Sequence, residues 1–486
     1  MKMIAHLTKR LGLSSAAVLS ALVLTAPGQA QITKFQHIVF VIQENRTPDN
    51  FFQGLCNPPY GTAASCSTTP SATQYDIQTS NWLNKMSKTG VTQPIPSSII
   101  TTFDMDHTHS SFVALCDFNT KTGLCRMDGQ QSAHCDPNCP MTLAQYESVD
   151  YTTGLLNPYL TMATQYGWAN YMFQTNQGPS FAAHHFIFGG TSAPTTADDA
   201  AGIFAAENAQ PSQAASGCIA SATTTVSIIN SLGVEFENIY PCLEHQTLAD
   251  LLLSNGLTWQ YYSSGPGWIG NAPTGIDHIC GSSGPGGKCK GTEWTTSEDE
   301  NPADVLTTIG SCELRSVTWV TPSTANSDHA RGTDGGGPAW VASIVNAIGN
   351  ATTCDGTGYW KDTAIVVTWD DWGGWYDHEP PPVPAAPQSG YQYGARVPML
   401  FISAYTPVGY IDNTKFYDFG SFLRFAEHNF GIPEGALDFA DARQTTDLTK
   451  FYNLNQSPRS FQTIPADKDA KFFLNDKRQG GDPDDK

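Results

Sequence analysis

One stretch limits the choice of fold more than any other: residues 362–382, DTAIVVTWDDWGGWYDHEPPP. Ala364, Ile365, Val366 and Val367 make a short, largely β-branched apolar run, of the kind that fills a strand buried on both faces of a parallel sheet. The run ends in two adjacent carboxylates, Asp370 and Asp371. Gly373 and Gly374 then let the backbone turn tightly, before Asp377, His378 and a stiff triple proline. In open α/β sheets, ligands and catalytic groups collect at the carboxyl ends of strands. Two neighbouring carboxylates there repel each other unless a cation neutralises them. Taken by itself, the segment also reads as a polar turn leaving a core strand.

The same pattern occurs earlier, where the apolar run HIVFV at 37–41 passes into Ile42-Gln43-Glu44-Asn45-Arg46. Further strands are expected at 168–173, 258–262, 316–321 and 397–403. Residues 143–166 read as mostly helical, with Pro158 starting a second helix. Other helices are expected at 181–188, beginning near Ser180, and at 247–254, 338–348 and 418–430, the last ended by Gly431 and Pro433. Strands alternating with helices predict an α/β fold: a three-layer αβα sandwich around a central, mostly parallel β-sheet. Two insertions, at about 54–141 and 263–301, interrupt it. Residues 189–225 read as surface, and the charged tail after Asp467 as frayed. One domain over 31–486 is the economical arrangement.

Residues 1–30 read as a secretory signal peptide: Lys2, Lys9 and Arg10, an apolar run at 11–26, then Pro27-Gly28-Gln29-Ala30 with small residues at the cleavage positions. No later segment is long and apolar enough to span a membrane, so the mature chain is expected to lack an integral span and to be secreted or periplasmic. All 12 cysteines follow the leader. The close couples Cys56/Cys66, Cys116/Cys125, Cys135/Cys139 and Cys280/Cys289, with the wider Cys218/Cys242 and Cys312/Cys354, suggest disulfides in an oxidising compartment. A zinc cluster would call for a repeated C-x-x-C pair, which is missing. The formal charge of −20 disfavours nucleic acid or an anionic membrane as partner. It leaves room for a small anionic substrate, because a local cation inverts the field inside one pocket.

Glu44-Asn45, Ser180 and Asp370-Asp371 together offer carboxylates, an amide carbonyl and a hydroxyl. Such a set suits one divalent cation, with Mg²⁺, Ca²⁺ or Mn²⁺ ahead of Zn²⁺. Ser180 follows a Gly-Pro turn at the head of a predicted helix, where the dipole and free amides favour an anion; serine is also a preferred N-cap there. Histidines supply acid–base groups. His107 and His109 form H-x-H in DMDHTHSS, while His278, His329 and His378 each follow an aspartate. Of His184 and His185 on the Ser180 helix, one faces the site and the other points away.

Five blocks carry a resemblance: HIVFVIQENRTPDNFF at 37–52, DMDHTHSSF at 104–112, NQGPSFAAHHFIFGGTS at 176–192, NSDHA at 326–330 and VVTWDDWGGWYDHEPPP at 366–382. In this order and spacing they resemble the secreted phosphoesterases that include bacterial phospholipases C and single-metal acid phosphatases, relatives of the alkaline phosphatase superfamily. The resemblance implies one metal ion held by Glu44, Asn45, Asp370, Asp371 and the Ser180 oxygen, with Ser180 attacking phosphorus. It implies His107 and His329 as pocket histidines, His278 as a looser match, and His378 in a catalytic or supporting place. Where phospholipase members often have GPT followed by P-N-R, this chain has GPSFAAH. Many of them also carry extra C-terminal domains, and this chain stops soon after the core. Both departures favour the acid-phosphatase-like branch, acting on a small phosphate ester, with phospholipid headgroup esters as the alternative. A sulfatase would need a C/S-x-P-x-R setting, and a zinc protease H-E-x-x-H; neither is present. The non-enzymatic alternative is a secreted metal- or anion-binding protein.

Overall fold

The computed structural model describes residues 32–132, 143–211, 215–356, 358–383, 392–414 and 416–478. Among these, eight strands form one sheet, in the spatial order Glu298–Asp299, Trp259–Tyr262, Val317–Val320, His37–Gln43, Thr363–Trp369, Met399–Ile402, Gly167–Ala169, Tyr410–Asp412. Met399–Ile402 runs antiparallel to both of its neighbours, and all other pairings are parallel. The two strands singled out by their apolar runs lie side by side at the centre, in register from His37 opposite Thr363 to Gln43 opposite Trp369. They therefore deliver Glu44 and Asp370 to the same edge of the sheet.

Side-chain alternation along the strands defines two buried faces. Phe40, Val366 and Phe401 share one face through the register. There Phe40 meets Phe422, and Phe401 meets Phe425, both of helix Phe419–Phe430. Phe188 of helix Ser180–Gly189 packs on Trp319 on the same side. On the other face Trp369 meets Tyr159 of helix Asn157–Gln165, against which helix Gly337–Asn350 packs. Helices thus cover both faces, and the strand Thr363–Trp369 is buried at every position. Helix Ser180–Gly189 is likewise buried on all sides, matching its nearly continuous apolar sequence.

Several sequence expectations are corrected. Residues 143–166 are not helical throughout: a short strand, Glu147–Val149, precedes the helix, which starts at Asn157 beside Pro158. The hairpin of strands Val226–Ile229 and Glu235–Ile239 follows the Ala/Ser-rich surface stretch, and the strand Glu298–Asp299 lies within the second insertion. The segment after Asp467 is not frayed up to residue 478. Helix Ala470–Leu474 docks through Phe473 on Trp340, and Lys468 and Arg478 both pair with Asp334. An apolar anchor inside a charged segment was enough to order it.

Five of the expected disulfides are present among the described residues: Cys56–Cys66, Cys116–Cys125, Cys218–Cys242, Cys280–Cys289 and Cys312–Cys354. Cys135 and Cys139 lie outside the described residues, as do residues 1–31. No helix among the described residues is long and apolar enough to cross a membrane.

His278 belongs to this scaffold. Its Nδ1 lies 3.0 Å from Glu244 and its Nε2 3.1 Å from Asp250, tying helix Asp277–Cys280 to helix Leu248–Ser254. The hydrogen bond to Asp250, working against partial burial and helped by the charges of Asp250 and Glu244, raises its pKa from 6.5 to about 9. A proton bound more tightly in the folded than in the unfolded chain stabilises the fold for as long as the folded form keeps that proton. The His278 contribution is therefore complete below pH 6.5 and disappears as pH climbs through about 9. The melting-temperature difference between the parent and His278→Gln should shrink over that interval. Cutting the Cys312–Cys354 bridge, which closes a span of 42 residues, with the double change Cys312→Ser and Cys354→Ser should cost about 2–4 kcal/mol in urea unfolding.

Candidate active site

The site is built where the two central strands end. Asp370 donates its backbone N–H to the Gln43 carbonyl at 3.0 Å, the last rung between them. Beyond it Asn45 turns with φ 64°, a left-handed conformation that asparagine tolerates better than most residues. Its N–H donates to Asp370 Oδ1 at 3.1 Å. The turn after Asp371 passes directly over this loop. Gly373 has φ 62°, and a Cβ there would fall 2.5 Å from the Asn45 carbonyl oxygen. Any larger residue would drive the two strand ends apart.

Helix Ser180–Gly189 brings the third component. Pro179, not Ser180, is the N-cap, so the Ser180 hydroxyl is not used for capping. It donates instead to Asp371 Oδ2 at 3.1 Å. Asp371 Oδ1 meanwhile accepts from the Gly373 N–H at 2.6 Å. The neighbouring Phe181 N–H donates to the Asn208 side chain at 2.9 Å, which removes one of the helix-end amides expected to face an anion. One turn on from Ser180, His184 projects from the same side of the helix. Its Nε2 lies 3.4 Å from Glu44 Oε1 and 3.7 Å from Asp370 Oδ2. Ligand atoms of Glu44, His184 and Asp370 all fall within 4.8 Å of one another, and all three residues are buried.

This donor set fits a divalent cation. Two carboxylates taken out of water side by side need positive charge nearby, and an imidazole completes a mixed N/O set. Such a set accommodates Mn²⁺ or Zn²⁺ as well as the harder Mg²⁺. His184 was not among the ligands expected from sequence; its spacing of four residues from Ser180 was the available signal. Asn45, also expected as a ligand, lies against the same two carboxylates. One end of its amide lies 3.2 Å from Glu44 Oε2 and 3.3 Å from Asp370 Oδ1; the other lies 3.1 Å from His107 Nε2 and 3.2 Å from His329 Nε2. Carboxylates only accept, so the NH₂ belongs on their side. The Asn45 oxygen then faces the two histidines.

His107 and His329 converge from separate loops, with ring centroids 5.9 Å apart. Nδ1 of each ring faces a backbone carbonyl, Met105 for His107 and Ala330 for His329. Both rings therefore turn Nε2 towards Asn45 and the carboxylates. His109, its H-x-H partner, instead begins helix His109–Cys116 and faces Glu235 at 3.3 Å. His378 lies between Asp49 and Asp76, at 2.7 and 3.0 Å. His278 is held by Glu244 and Asp250. Neither makes a side-chain contact with Ser180, Glu44 or Asp370 among the described residues. The structure thus gathers Glu44, Asn45, Asp370, Asp371, Ser180, His107 and His329, adds His184, and leaves His278 and His378 outside.

A family model described as "Phosphoesterase family" matches residues 35–433. Non-hemolytic phospholipase C of Pseudomonas aeruginosa is 25% identical over 189 residues, which are 33% of this chain and 27% of that protein. Phospholipase C B of Mycobacterium tuberculosis is 28% identical over 178 residues, 32% of this chain and 33% of that protein. The matched stretch therefore spans about a third of these relatives' length. Among solved structures, a protein in the alkaline phosphatase superfamily from Vibrio parahaemolyticus aligns at TM-score 0.31 with 13% identity, covering 57% of this chain and 61% of that one. With a family model matched across most of its length, from the first central strand to the end of the last long sheet-packing helix, the chain belongs to the Phosphoesterase family.

Proposed function

We propose that the protein is a secreted or periplasmic, metal-dependent hydrolase of phosphate esters that uses Ser180 as its nucleophile. One observation carries the reading: the Ser180 hydroxyl, held by Asp371, stands beside the buried Glu44–Asp370–His184 cluster at the carboxyl ends of adjacent parallel strands. Bound there by Glu44, Asp370 and His184, a divalent cation would offset the charge of the carboxylates and of an incoming phosphate. Asp371 orients the Ser180 hydroxyl and accepts its proton as the oxygen attacks phosphorus. The Oγ–P bond forms as the bond to the leaving oxygen breaks, giving a phosphoserine. In this reading His107 or His329, whose Nε2 edges face Asn45, protonates that leaving oxygen. Water then cleaves the phosphoserine, releasing phosphate and restoring the hydroxyl. The disulfides support an oxidising compartment.

A second reading, a phospholipase C type of reaction, has one feature in its favour besides the names of the relatives. A groove of about 440 Å³ is lined by Phe112, Val113, Phe118, Leu232, Pro381 and Tyr393. Its wall residue Phe112 packs on Trp372, which in turn meets His107. An apolar leaving group has a place to rest there.

Ser180→Ala should lower kcat by about 10⁴-fold or more while leaving the circular dichroism spectrum and melting temperature close to the parent's. Turnover within tenfold of the parent would remove Ser180 as nucleophile. Assayed with p-nitrophenyl phosphate and p-nitrophenyl phosphorylcholine, the protein should cleave the first faster, and a chelator should abolish both activities until divalent metal is restored. Preference for the choline ester would select the phospholipase reading. Inactivity on both, with metal still bound, would select the binding-protein alternative.

A further inference from the structure

Behind the site lies a second concentration of charge that the reaction above does not use. Arg396, fully buried, directs Nε and Nη2 at the two oxygens of Asp377, at 2.9 and 3.1 Å. The same guanidinium lies 3.4 Å from Asp76 and 3.7 Å from Asp49. His378 bridges Asp49 and Asp76 with its two ring nitrogens, and its backbone N–H also donates to Asp49, at 2.9 Å. Asp49, Asp377 and His378 have the spacing of a metal site, but the guanidinium already supplies the cation those carboxylates require.

Asp49, Asp377 and His378 lie on arms of backbone that lead to the active site, and Arg396 is tied to a third such arm. Asp49 lies just beyond Glu44 and Asn45, on a helix capped by Thr47, whose hydroxyl donates to the Tyr376 carbonyl at 2.7 Å. Asp377 and His378 lie just beyond Asp370 and Asp371. Arg396 donates to the Asn170 carbonyl at 3.0 Å, and the adjacent Ala395 carbonyl accepts from the Gln174 N–H at 3.0 Å, on the loop that runs into Ser180. We propose that Arg396 and His378 are positioning residues: with Asp49, Asp76 and Asp377 they form an ionic clamp that fixes the relative placement of the Glu44, Ser180 and Asp370 arms. His378 keeps its charge in this role and does not exchange a proton with substrate. The clamp rests on the site reading given above, and its geometry agrees with its electrostatics. Burial pulls the His378 pKa down, yet Asp49 and Asp76 outweigh it and hold it at about 10. Breaking one member of such a buried network leaves uncompensated charge, which is far costlier than any surface pair.

The test compares the parent with His378→Gln, Arg396→Gln and Arg396→Lys, by amide hydrogen exchange, by Mn²⁺ affinity from calorimetry, and by the pH profile of kcat/KM on p-nitrophenyl phosphate. In the two Gln variants, exchange should accelerate together in segments 44–49, 174–181 and 370–378, and Mn²⁺ affinity should fall about 10–100-fold. Both limbs of the pH profile should stay where they are in the parent. Arg396→Lys should lie between the parent and Arg396→Gln, because it keeps the charge and loses the bidentate fork. Should Arg396→Gln not fold, His378→Gln carries the same test with the guanidinium intact. Acceleration confined to the substituted segment, Mn²⁺ affinity within twofold of the parent's, or loss of one limb in His378→Gln would each overturn the clamp. A parent that binds no Mn²⁺ would sink the metal reading instead, and the exchange pattern alone would then decide the clamp.

Discussion

The structure depends on placing carboxylates at the ends of two neighbouring parallel strands, in the interior, and holding them there. Glu44 and Asp370 stand next to each other because His37–Gln43 and Thr363–Trp369 pair in register. Like charges out of water resist this arrangement. The backbone N–H of Asn45 and the Asn45 amide supply hydrogen bonds, and His184 brings a nitrogen within reach of both carboxylates. What the protein provides is two carboxylates and an imidazole gathered in a buried, pre-shaped place. That is the condition under which a divalent cation, and with it a phosphate, gains most from binding.

Rigidity around that place comes from several sources that act on different parts of the chain. The strand cores are apolar and buried on both faces. The glycine turn over Asn45 admits no side chain. The insertions, the first of which contributes His107, have little regular structure of their own and are stapled by Cys56–Cys66, Cys116–Cys125 and Cys280–Cys289. His329 sits on a loop with Asp328, whose carboxylate accepts from Tyr159 and Trp369 and whose backbone carbonyl accepts from Arg46. Burial lifts that carboxyl to about 7 against the pull of these partners.

Much of this was legible in the residues. Apolar runs ending in polar clusters marked both central strands, and the cysteine couples, three close and two wider, matched five observed bridges. Other features were not legible. Residues 143–166 have helical composition, but a short strand forms where the segment pairs with Ile95–Ser97, a tertiary partner that periodicity does not register. The charged tail concealed Phe473, whose docking on Trp340 orders it. His278 follows an aspartate just as His329 does, yet the two have unrelated surroundings, because neighbours in sequence do not decide which way a ring turns.

By itself the sequence determined the periodicities, the turn chemistry and the inventory of donors: which strands are buried, where glycine is required, and that carboxylates, a helix-leading serine and histidines were available. Only the tertiary structure decided which donors meet. His184 joined Glu44 and Asp370, Asn45 turned its oxygen towards His107 and His329, and His378 was drawn into the ion cluster of Arg396. The physical reason is that hydrophobic burial and strand pairing act on pattern and can be read locally. A hydrogen bond or ion pair depends on the distance and direction of single atoms, and these exist only once segments far apart in the chain have been brought together.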